Sequence, residues 1–256
     1  MIRAAVATLL LLWVSLADAF ACETGRPINL AFHPSTADAA LQFEGYRETV
    51  ERVAASYVRV VICRAGAGPR IEAMENPNRI INGASGVIVD RSGLVVTAAH
   101  IAADPGNDAQ IITLDGRGHK ARILRVERRR ELALLQIAPF PGMRVAEFGD
   151  SDRLVAGDSA FAVGTPDNKA GIISLGRVLV PKLAERLDYD DYGFAEAIKL
   201  WIDVVPGNSG GPIFDREGRL VGIVGAFGLP EPGQKESHLG YAVPSNAIRT
   251  FLAKSN

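Results

Sequence analysis

The segment Gly207-Asn208-Ser209-Gly210-Gly211-Pro212 sets a serine among glycines. A serine hydroxyl is a weak nucleophile until a base takes its proton. Flanking glycines let the backbone turn so that successive N–H groups point at one spot, where they stabilise the oxygen anion of a tetrahedral acyl intermediate. Ser209 is therefore the candidate nucleophile, and the N–H groups of Gly207, Asn208 and Ser209 are the candidate oxyanion hole. The plainer alternative is a turn between strands. The base must come from His33, His100, His119 or His238. His100 ends Val95-Val96-Thr97-Ala98-Ala99-His100, a strand running into small residues that leave room for a substrate beside the ring. His33, His119 and His238 belong to no such constellation and read as surface residues.

These residues need rigid elements to carry them. Residues 22–37 read as an irregular arm. From Ala37 to about Ala55 apolar residues recur near a 3.6 period, which predicts a helix. Tyr57–Cys63 is β-branched and reads as the first strand. Residues 64–79 carry turn signals and read as a loop. Ser85–Val89 and Leu94–Thr97 flank the hairpin turn Asp90-Arg91-Ser92-Gly93. Further strands are predicted at 110–114, 120–126, 132–137, 159–163, 171–180, 198–205, 211–214, 220–226 and 239–243, and a closing helix at Ser245–Ala253. Many short strands with Gly-rich turns imply a β-barrel or sandwich. Residues 181–197 read as an irregular acidic surface loop, and the basic run 125–130 as a solvated strand face and loop.

The chain has 256 residues, enough for one large or two small cores, and its 28 basic and 29 acidic side chains give a net charge of -1. That balance gives no electrostatic reason to expect a nucleic-acid partner. Neither His/Cys clusters nor phosphate-cradling loops occur, so no metal or cofactor is implied. Residues 1–21 read as a signal peptide: Arg3, an apolar run Ala4–Leu16, then small residues at Ala17, Ala19 and Ala21. The alternative is a membrane anchor, for which the run is short. Export, to the periplasm or beyond, with no stable membrane insertion after cleavage, is the expectation. In an oxidising compartment Cys22 and Cys63 can form a disulfide, closing a loop worth about 4 kcal/mol in a chain-entropy account. Two unrelated thiols and a lipid on Cys22 are the alternatives.

Thr97-Ala98-Ala99-His100 together with Gly207-Asn208-Ser209-Gly210-Gly211-Pro212 resembles the trypsin-like serine proteases. Ser85–Asp90, Leu132–Ile137, Val163–Pro166, Gly171–Ser174 and Gly240–Asn246 match their HtrA branch in order, and the resemblance covers about residues 47–254. It implies an all-β fold of two six-stranded barrels, chymotrypsin-like, with short N- and C-terminal helices, and an active site between the barrels. The division expected is a signal peptide at 1–21, an arm and helix start at 22–45, and the protease domain at 46–256. The activity implied is endopeptidase cleavage of polypeptides through an acyl-enzyme.

Two departures stand out. Where the family has its catalytic aspartate, directly before Leu132–Ile137, this chain has Glu131, a carboxylate one methylene longer. Glu131 is expected to orient His100; the alternative is a salt bridge to Arg128, Arg129 or Arg130. The family's usual PDZ domain does not follow the protease segment in this sequence, so its peptide-sensing regulation is expected to be absent from this polypeptide. By position, Gly225, Ala226 and Phe227 line the primary substrate pocket, Phe227 making it shallow and apolar. Asp203, six residues before Ser209, is either a pocket acid or a strand-end hydrogen-bond acceptor, with the second favoured. Oligomers are common among such enzymes, and no residue here establishes one. An α/β-hydrolase fits Gly207-x-Ser209-x-Gly211 but lacks alternating strands and helices. The stronger alternative is a protease-like protein that binds extended peptides by edge pairing without cutting them.

Overall fold

A computed structural model describes residues 26–33, 47–63, 80–102, 105–229 and 237–254. The segments assigned to the signal peptide, to Cys22 and to the 64–79 loop lie outside these residues, as does the start of the helix expected from Ala37.

The first barrel is closed by β2 (Tyr57–Cys63), β3 (Ile80–Ile88), β4 (Leu94–Thr97), β5 (Asp108–Ile112), β6 (Gly118–Glu127) and β7 (Leu132–Ile137), in the order β2-β3-β4-β7-β6-β5. Alternation decides what faces inward: Val58, Val60 and Ile62 of β2 meet Ile88, Val95 and Leu135 inside the barrel. The second barrel comprises β8 (Ser159–Gly164), β9 (Ile172–Val180), β12 (Ile198–Ile202), β13 (Pro212–Asp215), β14 (Leu220–Phe227) and β15 (Leu239–Pro244), closed by the β8–β9 pairing. Its interior holds Ala162, Val178, Leu200, Ile213 and Val224. A third cluster joins the two, packing Tyr57, Val87, Val96 and Leu132 against Phe161, Val163, Leu175 and Ile223. The double-barrel expectation is met, and the catalytic candidates sit around this joint.

Several elements were not anticipated. A two-residue strand, β1 (Ala31–Phe32), pairs in parallel with Ile172 and Ile173 of β9. The stretch read as an acidic surface loop contains the hairpin β10 (Leu187–Tyr189) and β11 (Tyr192–Phe194), and Phe194 is buried. Helix α1 (Arg47–Ala54), by contrast, falls within the helix expected from Ala37 to about Ala55; it buries Val50, Val53 and Ala54, with Glu48 in its first turn and Arg52 in its last, each favourably placed for the helix dipole. A short helix α2 (Ala99–Ala102) follows β4.

Helix α3 (Ser245–Ala253) has the bounds expected and buries Ile248 and Phe251. Its C-terminal carbonyls need donors, and Arg125 supplies them, bonding Phe251 O and, at 2.8 Å, Lys254 O, while its guanidinium lies 4.2 Å from the Phe251 ring centre. The basic run is thus solvated only in part: Arg128 and Arg129 are exposed, while Arg125 clamps the helix end.

Candidate active site

β4 brings the chain to the joint between barrels, where Thr97 Oγ1 donates to Ser85 O at 2.7 Å. The turn into α2 then sets the His100 ring at the surface, 27% exposed. On the neighbouring strand, a 3-10 turn, Arg128–Arg130, ends at Glu131. Glu131 has φ 55° and ψ 35°, a left-handed conformation that costs a non-glycine residue on the order of 1 kcal/mol and tends to mark functional sites. That kink turns the carboxylate inward, where it is fully buried. Its Oε1 accepts from His100 Nδ1 at 2.6 Å and from the His100 backbone N–H at 3.2 Å. Glu131 therefore does not pair with the adjacent arginines; Arg130 bonds Glu127 instead, at 3.0 Å. The other carboxylate oxygen, Oε2, is buried without a hydrogen-bond partner of ordinary geometry among the described residues.

Ser209 enters from the second barrel, on the loop between β12 and β13. Val205 O accepts from Asn208 N–H at 3.0 Å, closing a turn with Pro206 and Gly207 at its centre. Gly207 has φ +99°, and a Cβ there would lie 2.1 Å from Thr165 O. Proline followed by a positive-φ glycine is the signature of a type II turn. This corrects one expectation: the Asn208 N–H is spent inside the turn and is not part of an oxyanion hole. The Gly207 and Ser209 N–H groups have no acceptor among the described residues and remain the two candidate donors. No hydrogen bond joins Ser209 Oγ to His100 among the described residues; such bonds are often long until substrate arrives.

Ser85 fastens this loop to the first barrel. Its N–H donates to Ser209 O at 3.1 Å and its Oγ to Gly207 O at 2.7 Å. Thr165 Oγ1 lies 3.3 Å from Ser85 Oγ and 2.5 Å from the Tyr57 hydroxyl. Burial pushes the Tyr57 phenol up to about 12. Ser85 stood inside a motif quoted for its strand pattern; only a long-range contact reveals its part in the site.

The expected pocket residues divide. Gly225, Ala226 and Phe227 lie at the end of β14, with Phe227 41% exposed. Asp203 is nearly buried, hydrogen-bonded to His238 Nδ1 and 3.9 Å from His33 Nδ1. It behaves as the strand-end acceptor rather than as a free pocket acid. His33 and His238 are its partners and so are not idle surface groups. The His119 ring stacks on Phe140 with centres 4.3 Å apart, and burial lowers its basicity. Among the described residues no group of three or more His, Cys, Asp or Glu side chains could hold a metal ion. Cys63 is buried and is not a free thiol; Cys22 lies outside the described residues.

The sequence of residues 84–223 matches the trypsin-like peptidase domain. The chain belongs to the trypsin-like peptidase family. It is 29% identical over 218 residues to a bovine protein named serine protease HTR4, covering 83% of this chain and 42% of that one. It is 32% identical over 181 residues to a putative serine protease, HhoA, of Synechocystis, covering 68% and 44%. A probable periplasmic serine endoprotease of Brucella suis, DegP-like, is 31% identical over 169 residues, 66% of this chain and 32% of that one. The matches thus span less than half the length of these relatives. Among solved structures, the HtrA-type protease AlgW with tripeptide superimposes with a TM-score of 0.67 at 23% identity, covering 81% of this chain and 62% of that chain. The double barrel is therefore the fold of an HtrA-type protease.

Proposed function

We propose that this peptidase-family chain is an exported serine endopeptidase using Ser209, His100 and Glu131. The observation that carries the reading is the 2.6 Å contact between His100 Nδ1 and the buried Glu131 carboxylate, which puts an acid behind the base despite the change from aspartate. Ser209 Oγ attacks the scissile carbonyl carbon while His100 Nε2 takes its proton. Glu131 stabilises the imidazolium that results and holds the ring in one tautomer. The developing oxyanion is received by Gly207 and Ser209 N–H. Collapse breaks the C–N bond, His100 protonates the leaving amine, and an acyl ester remains on Ser209. Water, deprotonated by His100, then releases the acid product and free serine.

Among the described residues Asp203 is engaged by two imidazoles rather than free to meet a Lys or Arg side chain, so apolar residues of modest size are the favoured substrates beside Phe227. The signal peptide, cleavage after it, and a Cys22–Cys63 bridge fit the same exported setting. The relative named as periplasmic agrees with it, and no helix among the described residues is long and apolar enough to cross a membrane.

The test is reaction with a fluorophosphonate probe, with Ser209→Ala as the blank. Labelling confined to Ser209 is the expected result. A wild type that labels no faster than the blank, and cleaves no casein, would leave the peptide-binding alternative standing.

A further inference from the structure

Among the described residues the buried oxygen Glu131 Oε2 has no hydrogen-bond partner of ordinary geometry, an uncommon state for a carboxylate inside a protein. The nearest answer comes from the second barrel. The hairpin β10–β11 folds back over the site and puts two tyrosines against His100. The ring centres of Tyr189 and Tyr192 lie 6.2 and 6.1 Å from that of His100, both edge-on. Tyr189 goes deeper: its hydroxyl is 3.5 Å from His100 Nδ1, donates to Gly225 O at 3.1 Å, and lies against the Glu131 carboxylate. Gly225 gives β11 its place, since a Cβ there would come within 2.8 Å of the Phe194 ring.

The hairpin is held where it is by the arginines that lead into Glu131. Arg129 reaches Asp188 at 3.3 Å and Arg128 reaches Asp191 at 3.8 Å. Arg186 bonds Asp188 at 2.7 Å and the Arg129 carbonyl at 2.6 Å. The Arg128 guanidinium also lies 5.2 Å from the Tyr192 ring centre. The same turn therefore aims the catalytic acid and anchors the hairpin that covers it.

We propose that Tyr189 is a positioning residue for the His100–Glu131 pair. Its hydroxyl proton swings between Gly225 O and the carboxylate. It donates to the carboxylate when that group must hold an imidazolium, and its ring blocks rotation of His100. This rests on the peptidase reading above. The hydroxyl supplies from across the barrel joint the second donor that a buried carboxylate needs.

The test is Tyr189→Phe in the full chain, which keeps the ring and removes the hydroxyl. Fluorophosphonate labelling of Ser209 is expected to slow about tenfold, the rate equivalent of 1.4 kcal/mol. With casein, kcat is expected to fall alike while KM holds, because the hydroxyl acts on the Glu131 carboxylate behind His100. In the proton NMR spectrum the His100 Nδ1–H resonance should move and exchange faster with water. Asp188→Ala keeps the hydroxyl but loosens its hairpin, and should give a smaller slowing with the same spectral change. A labelling rate and a resonance unchanged in both variants would overturn the proposal. The resonance needs no turnover: a wild type inert to probe and casein would sink the peptidase reading, while the spectrum would still decide the role of Tyr189.

Discussion

Two segments that lead out of the second barrel, the nucleophile loop and the β10–β11 hairpin, lie near the His100–Glu131 pair, and they are fastened in opposite ways. The nucleophile loop is held by neutral hydrogen bonds, Ser85 to Gly207 O and Ser209 O, and by Gly210 N–H to Val224 O at 2.7 Å. The hairpin is held by exposed ion pairs between Arg128, Arg129, Arg186 and two aspartates. Buried neutral bonds barely feel salt, and losing one partner strands a polar atom. Exposed ion pairs are each worth little and are screened by electrolyte. The molecule thus pairs a candidate nucleophile loop held by neutral hydrogen bonds with a hairpin that buries Phe194 and carries a charged, solvent-exposed rim.

The largest expected effect lies in the His100–Glu131 pair itself. Glu131→Gln keeps the shape but can no longer stabilise an imidazolium, and phosphonylation of Ser209 should fall by up to about ten-thousandfold. Next is Gly207→Ala, which drives a methyl into Thr165 O and turns one oxyanion donor away. A loss of about a hundredfold or more in kcat for casein is expected, from removal of that donor.

Alkali and salt then separate the two fastenings. The Tyr57 phenol beneath Thr165 has a folded pKa of about 12, above its ordinary value near 10. A raised acid of this kind contributes stability that is complete below pH about 10 and is lost as pH rises through about 12, amounting to on the order of 3 kcal/mol. Urea melts at rising pH should show that loss in wild type and not in Tyr57→Phe. Ser85→Ala should cost about 1–3 kcal/mol in urea unfolding, with slower labelling that salt does not change. The smallest effect belongs to the hairpin: Asp188→Ala should cost under about 1 kcal/mol of stability. Wild-type labelling should also slow modestly in about 1 M NaCl, where the screening length is about 3 Å.

What was legible in the sequence follows the range of the interactions. Thr97–His100 and Gly207–Pro212 announce their chemistry locally. Strands such as Tyr57–Cys63 and Leu132–Ile137 have the observed bounds because their β-branched and leucine-rich runs are buried on both faces. The hairpin escaped notice because its strands are three residues each, and Asp188, Asp190 and Asp191 resemble a solvated loop until arginines distant in sequence claim two of them. Ser85 escaped because a serine in a strand carries no mark of the carbonyls it will meet. Asn208 was assigned a donor that the Pro206-Gly207 turn consumes, a detail of one peptide plane. His33 and His238 looked idle because Asp203 lies 170 and 35 positions away.

The division of the site between barrels also bears on the timing of folding. His100 and Glu131 belong wholly to the first barrel, and Ser209 wholly to the second. Each barrel closes by pairing strands far apart in the chain, such as Val60 with Ile111 and Phe214 with Phe161, and distant pairings form slowly. A molecule with only one barrel complete therefore holds a base without a nucleophile, or the reverse. On the peptidase reading, a newly made chain is harmless to its unfolded neighbours until the joint closes, when Ser85 takes hold of the loop and the chemistry is assembled in one late step.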